Sequence, residues 1–68
     1  MKISARNILE GIVVAVTKGQ TTAHVEIDVK GLIVTASVTN EAVDDLKLAK
    51  GMKAYAVIKA SDVMVAVD

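Results

Sequence analysis

The sequence predicts an all-β fold: a five-stranded, OB-fold-like Greek-key barrel with one short helix between strands three and four. Three observations carry this. Extended runs rich in Val, Ile and Thr recur through the 68 residues, separated by short turns that contain Gly. The apolar period changes once, after Thr39, from two to helical spacing, and then returns to extended structure. The resulting order of three strands, helix and two strands is the succession of the OB-type barrel.

Gly11–Thr17 is the first strand, a β-branched run with apolar residues on both parities. A strand with one wet face alternates, so this one is expected to be covered on both sides, and a domain this small cannot supply both covers itself. Lys18-Gly19-Gln20 is turn chemistry. Thr22–Val29 alternates cleanly, with Ala23, Val25, Ile27 and Val29 on one side and His24, Glu26 and Asp28 on the other. Lys30-Gly31 makes the next turn, and Leu32–Thr39 follows with Leu32, Val34, Ala36 and Val38 inward and Ile33, Thr35, Ser37 and Thr39 outward. Ala42, Val43 and Leu46 then recur at helical spacing, Thr39 or Asn40 can cap, and Glu41, Asp44 and Asp45 crowd the early turns. Lys50-Gly51 ends this region. Lys53–Ile58 is the fourth strand, Lys59-Ala60-Ser61-Asp62 a polar corner, and Val63–Val67 the fifth strand. The whole of 1–68 is read as one domain without repeat or linker.

Composition narrows the function. There is no Cys and one His, so neither disulfides nor a thiolate or His-built cation site is expected. Residues 53% apolar with no Phe or Trp and one Tyr suit tight packing of flat surfaces, and a chain this short is expected to gain stability by oligomerisation. Zero net charge and a single aromatic disfavour a single-strand nucleic-acid groove. No apolar run approaches the roughly 20 residues of a membrane span, and the expectation is a soluble cytoplasmic protein. His24 lies mid-strand among solvent-facing residues, with nothing to make it the base of a nucleophile, so no enzyme is expected. The acidic group Glu41, Asp44 and Asp45 reads as helix-dipole complementation on a wet face rather than as a cation site.

The remaining polar residues cluster at element ends. Ser4 and Arg6 precede the first strand, Thr39 stands at the strand–helix junction, and Lys59, Ala60 and Ser61 form the corner between the last two strands. Together they offer two cations, three hydroxyls and several backbone N–H groups, with Asp62 the one acid among them. A guanidinium beside a hydroxyl suits an anion with several oxygens, and a fully ionised oxyanion accepts only, so an all-donor shell fits it. Each residue alone also has an ordinary reading as terminus, cap, solvated cation or turn.

Ser4-Ala5-Arg6-Asn7, the Lys18-Gly19 turn, Val43-Asp44-Asp45-Leu46 and Lys59-Ala60-Ser61-Asp62-Val63-Met64 together resemble the molbindin family of small molybdate-binding proteins, related to modules of molybdate-responsive regulators and transporter ATPases. The resemblance runs the whole length. It implies a hexamer, a trimer of dimers, that holds molybdate or tungstate at subunit interfaces, with no cofactor. It places Ser4, Ala5 and Arg6 of one subunit in the main site with Thr39, Lys59, Ala60 and Ser61 of another. Many relatives have a serine where this chain has Ala42, so the site there uses the Ala42 N–H or loses a donor. The expected function is cytoplasmic storage and buffering of the oxyanion. An oligomeric oxyanion-sensing module that docks to a partner protein is the alternative.

Overall fold

The computed structural model describes residues 1–68. Its elements are β1 (Asn7–Lys18), β2 (Thr22–Val29), β3 (Leu32–Thr39), α1 (Asn40–Leu46), β4 (Lys53–Ile58) and a 3-10 turn (Ala60–Asp62). The strands form one antiparallel sheet in the order β3-β2-β1-β4. Alternation fixes the register of β2 and β3: Ala23, Val25 and Ile27 are buried while their odd-man neighbours His24 and Glu26 face out. The β2–β3 hairpin closes on Lys30 (φ 53°) and Gly31 (φ 91°), both left-handed as a tight primed turn requires, and Asp28 Oδ1 accepts from the Gly31 N–H at 2.7 Å.

β1 begins four residues before the expected run and carries a bulge between Val13 and Ala15. The bulge explains part of the two-parity pattern. One extra residue switches which parity faces inward, so Gly11, Val13 and Val16 can share a face without two covers. Ile8 and Ile12 still present 41% and 46% of their surface outward. Gly11 is required by close approach: a Cβ there would meet the Asp28 carbonyl oxygen and come within 2.8 Å of Ile27 Cγ2. Gly11→Ala is expected to destabilise by about 1–3 kcal/mol through overpacking, read as a lower denaturation midpoint. An unchanged midpoint would mean that the strands do not approach so closely.

Thr39 caps α1, its Oγ1 accepting from the Ala42 N–H at 3.0 Å. The helix ends on Lys47 in the left-handed conformation, with Val43 as its buried anchor. The core is small: Val13, Ala23, Val25, Ile27, Val43 and Ala56, with Leu9, Val16, Val34, Leu48 and Met52 packed at its margin. Only 8 of 68 residues are buried, too few for a comfortably stable free-standing chain.

The fifth strand differs from expectation. Val63–Asp68 forms no ladder with its own sheet, and Met64, Val65 and Val67 are 92%, 89% and 92% exposed. The sheet therefore stays open between its edges β3 and β4. That opening is an apolar groove of about 520 Å³ lined by residues of both edges, among them Val34, Ala36, Val38, Ala56 and Ile58. The β-branched composition of 63–67 encodes an extended backbone; a ladder also needs an edge within reach, and here the chain runs clear of its own.

Candidate functional site

The ladder decides which donors meet. Asn7 stands opposite Ile58, and its Nδ2 donates to the Ile58 carbonyl at 3.1 Å. Arg6 and Lys59 are the next residues along on these two antiparallel strands, so Ser4–Arg6 and Lys59–Ser61 share one end of the sheet. Ala5 is the buried peg that holds the opening segment down, while Ser4, Arg6, Lys59, Ala60 and Ser61 are exposed. In the 3-10 turn the N–H groups of Asp62 and Val63 bond back to Lys59 and Ala60, which leaves those of Ala60 and Ser61 at its open start.

Thr39 and Ala42 lie elsewhere. Thr39 pairs with Thr22 at the far end of β2, beside the end of β1 where Lys18 meets Ala23. Twelve residues of β1 lie between the two donor groups, roughly 36–40 Å of strand path. Within one chain the register sets Lys59–Ser61 beside Ser4–Arg6; the expected meeting of Ser4–Arg6 with Thr39 and Lys59–Ser61 is one between different copies. None of the cavities of the single chain is lined by any of these residues. The expectation for Ala42 also changes. Its N–H is committed to the Thr39 cap, so Ala42 brings no side-chain donor and an already engaged amide. The donors left at this junction are the Thr39 hydroxyl proton, freed because Oγ1 accepts from Ala42, and the Glu41 N–H, which has no intrahelical partner.

Electrostatics favour an anion at the Arg6 end. The chain forms two ion pairs, Lys18–Asp44 at 2.6 Å and Lys53–Glu10 at 2.9 Å, and neither uses Arg6 or Lys59. Six of the eight Lys and Arg side chains form no ion pair, and among them Arg6 and Lys59 stand at this end beside two hydroxyls and open amides, with Asp62 the one carboxylate of the segment. The Lys53–Glu10 pair has a different place, further along the β1–β4 ladder, where Lys53 also lies over the Tyr55 ring at 5.6 Å. The hydrogen bond from Lys53 holds the Glu10 carboxyl below its ordinary value, and the bond to Glu10 raises Lys53. Its contribution to stability is complete near neutral pH, fades as pH falls through the lowered Glu10 value, and fades as pH rises through the raised Lys53 value. Both groups are exposed, so that contribution is small.

Other constellations carry no chemistry. His24 stands opposite Ser37 and Thr17 in the ladder without a hydrogen bond to either, so no hydroxyl is activated. No three His, Asp or Glu side chains converge as metal ligands, and no helix is long and apolar enough to cross a membrane. Sequence reading missed Asn40, treated only as an alternative cap to Thr39. Its Nδ2 donates to the Gly19 carbonyl and its N–H to the Thr21 carbonyl, both at 2.9 Å. The adjacent Thr39-Asn40 pair at the point where the period changes was the available signal.

Comparison with known proteins gives a consistent result. Residues 3–65 match the TOBE domain model. The chain is 48% identical over 69 residues to a protein of Haemophilus influenzae described as a probable molybdenum-pterin-binding protein, with 100% of both chains covered. Among solved structures it is similar to a molybdate-binding protein from Sporomusa ovata, with TM-score 0.94, 40% identity, and 98% and 100% of the two chains covered. It is also similar to the cytoplasmic molybdate-binding protein ModG with molybdate bound, with TM-score 0.89 and 45% identity; the match covers 94% of this chain and 46% of ModG.

Proposed function

This chain belongs to the TOBE-domain family, and from that premise we propose that it binds molybdate or tungstate between copies of itself and buffers the oxyanion in the cytoplasm. The observation that carries this reading is the pair of uncommitted cations, Arg6 and Lys59, flanking one β1–β4 pair with Ser4, Ser61 and open amides around them. Such a shell gives without accepting, as a fully ionised tetrahedral oxyanion requires. The second donor set, at Thr39, is too far away along β1 to join it within one chain. Two copies arranged end to end bring the sets together, so the anion is enclosed by an interface.

The unpaired tail supports assembly. Val63–Val67 is an extended apolar segment, and the groove between β3 and β4 is an apolar slot with a strand edge on each side. A tail that leaves its own slot fills that of a second copy, pairing both edges and covering apolar surface on each side. We take the assembly to be a hexamer, a trimer of dimers. The near absence of aromatics favours the bare oxyanion over a pterin conjugate as ligand: the one aromatic ring, Tyr55, lies beside Lys53 and lines the apolar groove, which none of the donor residues lines. The reading is one of binding without catalysis: neither Ser4 nor Ser61 is hydrogen-bonded to an imidazole or carboxylate that would activate it.

Molybdate and sulfate share charge and shape and differ in size, so discrimination comes from the dimensions of the enclosed space. Equilibrium dialysis with molybdate against excess sulfate is expected to leave most of the molybdate bound. Equal displacement by sulfate at equal concentration would contradict the reading.

A further inference from the structure

An enclosure that selects by size needs each donor held to within about 0.5 Å, and the Thr39 hydroxyl sits at the join of a strand edge and a two-turn helix. That join is tied to the β1–β2 turn. Thr39 pairs with Thr22 in the ladder, the Asn40 N–H donates to the Thr21 carbonyl, and Asn40 Nδ2 donates to the Gly19 carbonyl. Lys18 reaches Asp44 from the same turn, but as an exposed ion pair it adds little fixity. Asn40 supplies two of the ties from one residue, on the two carbonyls that the turn offers.

The amide of Asn40 is held in one sense only. Turned over, it would set Oδ1 against the Gly19 carbonyl oxygen. As it stands, Oδ1 is buried with no hydrogen-bond partner, an unfavourable state for an acceptor. Asn40 is thus a costly choice for stability, with one good bond offset by one orphaned acceptor, and a good choice for geometry. We infer that Asn40 is a positioning residue for the oxyanion site: bridging Gly19 and Thr21, it fixes the strand–helix junction so that Thr39 presents its hydroxyl proton in one place. This rests on the functional reading above.

Asn40→Ala removes the tie to Gly19 and also the orphaned acceptor, so folding and subunit number are expected to change little. Molybdate affinity is expected to fall on the order of tenfold, the usual effect of losing an outer partner that orients a ligand group, with a reduced preference for molybdate over sulfate. In protein without anion, hydrogen exchange at the Ala42 N–H, which Thr39 Oγ1 holds, is expected to quicken. Two results overturn the inference: wild-type exchange at Ala42 in the variant, or a loss of affinity that only follows loss of assembly. If wild-type protein binds no molybdate, the site reading fails, while the Ala42 exchange rate still decides whether Asn40 fixes the junction.

Discussion

Arg6→Ala is expected to lower molybdate affinity by about 10- to 100-fold and to leave the proposed assembly intact. The magnitude follows from the loss of a charge-assisted hydrogen-bond pair, about 1.5–3 kcal/mol, at about 1.4 kcal/mol per tenfold. The specificity of the effect follows from the structure. Arg6 is exposed in the single chain and pairs with no carboxylate, so its removal takes away little folding energy. Arg6→Lys is expected to fall between, because an ammonium keeps the charge and loses the planar fork. Titration calorimetry with native sizing of the same samples checks both. If the oligomer dissociates while its assembled remainder binds normally, Arg6 holds subunits together and its assignment to the anion is wrong.

Truncation after Asp62 has the other large effect. Met64, Val65 and Val67 are almost fully exposed in the single chain, and Val63, the fourth large apolar residue of the tail, is half-exposed. Burying three such side chains contributes roughly 1.5–3 kcal/mol each, a sum comparable to the whole stability of a small domain. The truncated chain also keeps its groove open between β3 and β4. It is expected to sediment as a monomer and to unfold at much lower denaturant concentration than the full chain. Val65→Asp, which keeps the length and places a charge in the slot, is expected to act in the same direction. A truncated protein of unchanged size and midpoint would show that the tail is not what fills the groove.

Much of the fold was legible because β2 buries one face and β3 and β4 half-bury one. Alternation at Thr22–Val29 and Leu32–Thr39 specified both the strands and their inward sides, except at Leu32, which was expected inward and is 66% exposed beside the turn, and the Lys30-Gly31 turn fixed the register between them. The change of period at Thr39 located the helix and its cap. β1 was harder. Its opening residues Asn7 and Glu10 interrupt the apolar pattern, and its bulge moves the inward parity midway, which composition cannot reveal. The tail was read as a strand from Val63, Val65 and Val67, a reading of backbone preference that cannot say whose edge the segment meets.

The site divides in the same way. The proposed donors stand out in the sequence as residue types at element ends, and the match from Ser4-Ala5-Arg6-Asn7 to Lys59-Ala60-Ser61 gave the family. Their placement within one chain was not legible, because it depends on pairing between residues some fifty positions apart: Asn7 with Ile58 brings Lys59 to Arg6 and leaves Thr39 at the other end. The commitment of the Ala42 N–H to Thr39 is equally a matter of local geometry, as is the bridge made by Asn40.

The central claim is that separate copies of this chain jointly enclose the oxyanion, and native mass spectrometry of the wild-type protein with and without molybdate tests it most directly. The account predicts a six-subunit species that gains mass in whole molybdate increments, with no anion on any monomer. A monomer that retains molybdate, or a hexamer that takes up none, would contradict it.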